Sequence, residues 1–397
     1  MNLKRISLVL LVCAAVSPAL GITPEARGLA MADAYSPFAK GAEGMWYNPA
    51  TLGAVTLAGI DAGGGAELTN NALTLNELAN FSTGSDAQKL DAIDKIAKEG
   101  EWKANVNIVA GASADIMGVG LSVAQHALIT GMDVTADTVE YSTFSKLRAG
   151  KNIYDLNGTF QGAAFREIGI GYGRELPIPL PMGKVSAGAI VKVLQGSDYT
   201  LMATKNHIDK VNPLNCYGAN LLAEGSSGKG IGFDLGAHAE FAVVDASLYV
   251  RNIASVISWD TNVQAGAVNT TTLLMPTGTT KETIKQTLPM TIALGAGGHI
   301  PVVGTAASAE IEMAGKGTTK ALGNTVDTTE AETKLRVGLE QSMLGIVNLR
   351  AGYVTGGKGT VTLGLGLGAI VARLDAGVGI GLDGKSGSAG LSGSVSF

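Results

Sequence analysis

Gly379 to Ser386 reads GIGLDGKS, which satisfies the phosphate-loop spacing G-x-x-x-x-G-K-[ST]. Such a loop works because a strand leads into a turn and then a helix, whose free backbone N–H groups hold the phosphates. Here Gly379 and Gly381 occupy alternate positions of a strand pattern, and Asp383 to Gly387 reads as a turn. The residues after it alternate as a strand to the last residue. No helix can follow, so no nucleotide site is expected. Gly364-Leu-Gly-Leu-Gly alternates in the same way and is not a dinucleotide fingerprint. Of the four histidines, His126, His207, His238 and His299, none has the H-E-x-x-H spacing of a zinc site. Asp234, His238 and Glu240 share one face of a strand, where acid–base or metal chemistry is conceivable and a hydrogen-bonded cluster is the plainer expectation. There is no G-x-S-x-G. The chain is not expected to be an enzyme, and no catalytic residue, cofactor, metal or nucleotide is expected.

The elements that would carry these residues are strands. Ala389, Leu391, Gly393, Val395 and Phe397 alternate with Gly390, Ser392, Ser394 and Ser396, the period of a half-buried strand. The two preceding segments follow the same rule, with Leu363, Leu365 and Leu367 against glycines and Leu374, Val378 and Ile380 against Arg373, Asp375, Gly377 and Gly379. The opposite face mixes Gly, Ser and sparse charge, as a crowded lumen would. Segments of about ten residues, apolar outward and polar inward, are the signature of a transmembrane β-barrel. Strands are expected near 54–67, 102–115, 117–127, 160–175, 183–196, 229–243, 245–259, 287–298, 305–314, 332–342, 345–354, 359–369, 371–382 and 389–397. The predicted fold is therefore an all-β, transmembrane, antiparallel up-and-down barrel of about 14 strands, an even number as bacterial single-chain barrels require.

Composition agrees. Glycine accounts for 55 of 397 residues and charged residues for 16%, against about 25% charged in ordinary soluble domains. Lys4 and Arg5, the apolar stretch Ile6 to Val16 and the small residues Ala19 and Gly21 read as a secretory signal, so residues 1–21 are expected to be removed and the protein exported through the Sec pathway. That step removes two positive charges and no acid, taking the formal net charge from −5 to −7. An acidic chain excludes nucleic acid as a partner. Cys13 lies in the signal, which leaves Cys216 alone and no internal disulfide.

The links between strands alternate long and short, with the long ones (68–101, 128–159, 197–228, 260–286, 315–331) on one side. Outer-membrane barrels have short periplasmic turns and longer outer loops, so both chain ends are expected in the periplasm and the protein in the bacterial outer membrane, in contact with its lipid. Within the first outer loop, Leu90, Ile93 and Ala97, with Ile96 on their flank, predict a short amphipathic helix over 87–98. Trp46, Trp102, Trp259, Tyr172 and Tyr353 are the candidates for membrane-interface positions.

Three ordered stretches, ARGLAMADAYSPFAKGAEGMWYNPATLG (26–53), GKVSAGAIVKVLQGSDY (183–199) and GIGFDLGAHAEFAVVDASLYVRNIASVISW (230–259), resemble the FadL superfamily of outer-membrane barrels. That superfamily includes long-chain fatty acid transporters and PorV-like proteins, and the look is nearest to its TraF-like, conjugal-transfer branch. The resemblance implies an N-terminal hatch, residues 22–53, folded into the lumen of a barrel spanning 54–397, with Asn48, Pro49 and Ala50 as the hatch motif. It also implies passive transport of hydrophobic or small molecules. The alternative is a non-transporting docking or assembly barrel for secretion, conjugation or surface attachment, with a secretion or surface protein as partner. Alternation nominates Lys192, Asp234, His238, Glu240, Arg251, Glu310, Glu312, Arg336, Glu340, Arg350, Arg373 and Asp375 as lumen-facing. The terminal Leu391, Gly393, Val395 and Phe397 resemble the signal read by the barrel-assembly machinery, which with periplasmic chaperones would be a folding partner.

Overall fold

The computed structural model describes residues 23–397 apart from 55–56, 86–87, 89–90, 93–94, 97–98, 100–101, 140–152, 179–182, 209–215, 268–274, 301, 322, 357 and 370. The expected export signal lies outside the described residues. Seventeen strands form one antiparallel sheet: β1 (Ala58–Asn70), β2 (Trp102–Ile116), β3 (Val119–Val139), β4 (Ile153–Glu175), β5 (Gly183–Ile208), β6 (Cys216–Phe241), β7 (Val244–Ala267), β8 (Met275–Thr287), β9 (Thr291–Ile300), β10 (Thr305–Ala314), β11 (Gly317–Ala321), β12 (Asn324–Thr329), β13 (Glu332–Met343), β14 (Val347–Val354), β15 (Thr360–Gly368), β16 (Ala372–Gly381) and β17 (Ser386–Ser396). Fourteen of them close a ring, and β8, β11 and β12 stand outside it. Closure runs through β1 and β17, with Gly59 opposite Ser396 and Thr69 opposite Ser386, and the Phe397 N–H donates to the Ala58 carbonyl at 2.8 Å. A closed ring leaves no unpaired edge, which is what lets strands cross lipid. Among the described residues no helix is long and apolar enough to cross a membrane.

Outward positions carry the apolar residues. Leu121 and Val123 on β3, Ile231 and Leu235 on β6, Leu335, Val337 and Leu339 on β13, and Leu363, Leu365 and Leu367 on β15 are all exposed on the outer wall. In water this belt would be costly; in a bilayer it is the lipid-facing band. On one side of the belt the turns are short. Met117 and Gly118, both at positive φ (52° and 87°), join β2 to β3 with Ile116 opposite Val119, the hairpin geometry whose twist matches the strands.

Each of the fourteen expected strands coincides with a ring strand, but four of the expected long links are mostly strand. β3 to β7 run for 21 to 26 residues and rise past the apolar belt, so 128–159 and 197–228 are largely wall rather than free loop, while 260–286 and 315–331 hold the end of β7 and the strands β8, β11 and β12 outside the ring. In β5 the extension was hidden by a bulge at Ser197: Ala164 pairs with Asp198 while Phe165 pairs with Gly196. One extra residue reverses the facing of everything beyond it, so Lys192 and Leu194 point inward below the bulge and Tyr199 and Leu201 above it. The first link holds a helix that was not expected, α2 (Leu75–Thr83), started by a reciprocal cap between Thr74 and Glu77. Of the expected helix 87–98, residues 88, 91, 92, 95 and 96 are helical, and Ala92 and Ile96 pack on Leu73, Leu78 and Trp102. Leu90, Ile93 and Ala97 lie outside the described residues. Trp46, Trp102 and Trp259 are buried inside, not at the interface; Tyr172 and Tyr353 are exposed on the outer wall.

The stretch with phosphate-loop spacing, 379–386, is a strand turn. β16 ends at Gly381, β17 starts at Ser386, and Gly384 takes positive φ (70°) between them.

Candidate functional site: the lumen

Residues 23–54 occupy the lumen. They comprise α1 (Ala26–Ala30) and two 3-10 turns, Gly41–Met45 and Pro49–Ala54. α1 lies against β14 to β17, and the second turn against β4 to β6. The inward glycines make room for it. A Cβ on Gly173 or Gly188 would stand 2.1 or 2.2 Å from the Pro49 carbonyl oxygen, and one on Gly364 would stand 2.2 Å from the Ala30 Cβ. The segment's backbone thus rests directly on the wall. Asn48 pins it: its side-chain amide donates to the Ala237 carbonyl (2.9 Å) and Ser247 Oγ (2.8 Å), while its Oδ1 accepts from the Ala50 N–H (3.0 Å). Its own Oδ1 would lie 1.9 Å from a Cβ on Gly236. Pro49 and Ala50 complete the buried motif.

Charge fastens the other side. Arg27 grips Glu340 with two hydrogen bonds, 2.8 and 2.7 Å. Glu340 also accepts from Arg350 Nε (2.5 Å), Arg350 reaches Asp375 (2.6 Å), and Asp375 accepts from Arg373 Nε (2.6 Å). Arg373 donates to Glu43, Glu43 accepts from the Tyr35 hydroxyl (2.6 Å), and Tyr35 accepts from Arg27 (2.7 Å). The result is a closed ring of three arginines, three carboxylates and a tyrosine, with Arg27, Tyr35 and Glu43 from the segment and four members from β13, β14 and β16. Buried charge is tolerable only when paired and hydrogen-bonded, and here each charge has at least two partners.

The other nominated residues divide among separate clusters. Arg336 bonds Glu312 (2.8 Å) and the Ala32 carbonyl (2.9 Å). Glu310 accepts from Tyr249 (2.8 Å) and Ser36. Lys192 meets Asp234 (3.0 Å), Asn252 Oδ1 (2.7 Å) and, more loosely, Glu167 (3.5 Å). Arg251 lies over the Tyr249 and Tyr47 rings at 4.5 and 5.8 Å. Asp234, His238 and Glu240 do not converge: Asp234 serves Lys192, His238 Nε2 meets the Pro37 carbonyl (3.0 Å), and Glu240 pairs with Lys40 (3.5 Å). Among the described residues no cluster of three metal-ligating side chains forms. At the far end of the wall, Leu391 and Phe397 are exposed, Gly393 and Val395 half-buried.

Sequence reasoning missed two things. Glu25, Arg27, Tyr35 and Glu43 sit in a stretch without alternation, so nothing marked them as partners of the wall. It also read the inward faces as polar throughout. Around the bulge and above it they are apolar: Leu128, Phe165, Leu194, Tyr199, Leu201, Trp259 and Val263 form one buried cluster with Ile284, Leu288 and Ala321. Tyr199 stands against Trp259 with ring centroids 5.0 Å apart, and His126 stacks on Phe165 at 4.8 Å. The lumen therefore has a charged half filled by the N-terminal segment and an aromatic, apolar half toward the long strands.

Closed 14-strand barrels of this form are known. The chain is similar to the toluene transporter TodX of Pseudomonas putida (13% identity, 90% of this chain and 94% of that one, TM-score 0.54). It is similar to a Pseudomonas aeruginosa FadL homologue (12%, 97% and 100%, TM-score 0.54) and to the CymD monoaromatic hydrocarbon channel (14%, 97% and 98%, TM-score 0.51). The fold is that of the FadL-type outer-membrane barrels. At these identities the fold is what is shared. No family model matches the chain, and no curated protein matches it. The FadL-type fold accounts for the apolar outer belt and the ring of 14.

Proposed function

We propose that this protein is a passive channel for hydrophobic small molecules across the outer membrane, with residues 22–53 as a hatch domain in the barrel 54–397. The observation that carries the reading is the buried aromatic cluster around Phe165, Leu194, Tyr199 and Trp259 in the outer half of the lumen. A hydrophilic porin would have no use for it, since apolar surface held away from water attracts apolar solutes. The neighbours named for toluene and monoaromatic hydrocarbons support a solute of that class. Asn48, Pro49 and Ala50 hold the hatch, and the charged residues of the wall fasten it. Leu391, Gly393, Val395 and Phe397 serve assembly of the barrel, delivered through the Sec pathway and periplasmic chaperones.

The test is uptake of toluene and of the apolar dye N-phenyl-1-naphthylamine by proteoliposomes. The full chain should admit both faster than protein-free vesicles, and Leu194→Asp, which places a charge in the cluster, should abolish the difference. Equal uptake with and without protein would remove the channel reading.

A further inference from the structure

Two neighbouring rows on the outer wall differ in kind. Ile168 on β4 pairs with Val193 on β5, Val193 with Ile231 on β6, and Ile231 with Val256 on β7. All are β-branched and face outward, the last row of the apolar belt on these strands. The next outward row, away from the short turns, reads Arg166, Gln195, Lys229 and Ser258. The ladder carries it on to Lys285 of β8 and Lys320 of β11. Every member is exposed except Ser258, which is half-buried. The facing is fixed from within: Ile284 on β8 and Ala321 on β11 turn into the aromatic cluster, and the alternation of side chains leaves Lys285 and Lys320 outside.

The row holds Arg166, Lys229, Lys285 and Lys320 and no acid, in a chain with 34 acids to 29 bases. Lys285 and Lys320 stand directly opposite each other, where like charges destabilise a sheet. Among the described residues no ion pair relieves any of these bases. Exposed lysines elsewhere do find acids: Lys184 meets Glu175 (3.2 Å) and Lys103 meets Glu330 (3.4 Å). Asp198 and Asp260, exposed one row further out, pair with none of the row. Across six strands the row is about 24 Å long. Barrel strands tilt, so it climbs by about 15 Å away from the short turns. The strand ends agree with that sense: Lys229 stands further from Phe241, where β6 ends, than Arg166 does from Glu175, where β4 ends. Anions that match the row must therefore lie at several depths above the acyl chains. A glycerophospholipid offers its phosphate at one depth only.

We propose that Arg166, Lys229, Lys285 and Lys320 form a binding site on the outer wall for a lipid of the outer leaflet, a glycolipid whose sugar head carries more than one phosphate. Its acyl chains lie along the row from Ile168 to Val256, and its phosphates meet the bases above. The site lies outside the lumen and does not depend on the channel reading. Each Lys or Arg near an anionic membrane surface strengthens attachment about fivefold, so the four together discriminate between charged and neutral heads.

The experiment uses the full chain in dodecyl maltoside, mixed with equal amounts of diphosphoryl lipid A, phosphatidylglycerol and phosphatidylcholine, and reads the lipid retained by native mass spectrometry. The wild type should retain lipid A about tenfold or more over phosphatidylcholine, with phosphatidylglycerol between them. Arg166→Gln/Lys229→Gln/Lys285→Gln/Lys320→Gln should lose that preference. Arg174→Gln/Lys184→Gln, both exposed at the short-turn end, should keep it. Equal retention of lipid A and phosphatidylcholine by the wild type, or an undiminished preference in the fourfold variant, overturns the site. Phosphatidylglycerol retained as well as lipid A overturns the choice of a head with several phosphates. Salt decides on the wild type alone, and stands in if the fourfold variant does not fold. Raising it from about 0.1 M to 1 M shortens the Debye length from about 10 Å to 3 Å and should erase the preference; a preference that survives overturns the site.

Discussion

Asn48 shows how much one side chain can fix. It is fully buried, its amide donates to β6 and β7, and its carbonyl holds the next turn. Asn48→Ala would take from the buried Ala237 carbonyl and Ser247 hydroxyl the amide donor they share and from the Ala50 N–H its acceptor, a cost of about 1–3 kcal/mol. The expected outcome is a barrel that keeps its heat-modifiable mobility on gels while residues 23–54 become cleavable by added protease. Unchanged protection would show that Asn48 does not hold the segment. Glu77 offers a titratable case outside the membrane. A hydrogen bond from Lys95, then one from the Thr74 N–H, hold its carboxyl below the ordinary 4.5. A lowered folded pKa contributes stability above the unfolded value and loses it as pH falls through the folded value. The helix Leu75–Thr83 should therefore exchange its amides at a rate that reflects constant stability from neutral pH down to about 4.5, and loosen below that. Glu77→Gln should remove the acid-side change. A helix that loosens instead on the alkaline side would reverse the assignment.

At the scale of elements, the wall and its contents are shaped to each other through glycine. Gly173→Val places side-chain atoms where the Pro49 carbonyl now lies, and backbone cannot yield as a flexible side chain does. The strand itself should still form, since Val suits a pleated surface. The expected result is a displaced segment in an intact ring, read as new conductance steps in a planar bilayer. Gly59→Ala, whose Cβ would meet ordinary contacts at 3.7 Å, should stay silent. The ring strands were legible because each keeps period two across the lipid belt. Their outer halves were not, because the Ser197 bulge in β5 flips the facing midway, and β11 and β12, at five and six residues, are too short to display a period. Inward Gly and charge could be read as a crowded lumen. What crowds it could not, since Arg27 and Glu340 are 313 positions apart and only the closed ring brings them together. The tryptophans misled for a related reason: an aromatic residue fits an interface girdle and a lumen equally well until facing is known.

For the whole molecule, the balance of charge decides what an emptied barrel would conduct. With residues 22–53 in place, the Arg27–Glu340–Arg350–Asp375–Arg373–Glu43 circuit is neutral and the passage is filled. Deleting the segment removes Arg27 and Glu43 and exposes the wall side chains to water. Among the described residues the inward acids then include Asp61, Glu167, Asp234, Glu240, Asp245, Glu310, Glu312, Glu340 and Asp375, and the inward bases Lys192, Arg251, Arg336, Arg350 and Arg373. Acids outnumber bases, so the opened pore should prefer cations, and a low-dielectric wall strengthens the field felt inside. The preference should grow as salt is diluted, because the Debye length widens from about 3 Å at 1 M to about 10 Å at 0.1 M. The measurement is the reversal potential of the deletion variant across a potassium chloride gradient. A cation-selective potential that increases on dilution agrees with the inward assignment of these side chains. An anion-selective potential would mean that the acids remain paired or face elsewhere. Silence from the deletion variant would mean that the aromatic cluster and the inward-turned β8–β11–β12 sheet close the passage without help from the N-terminal segment, placing the main barrier to ions at the outer end.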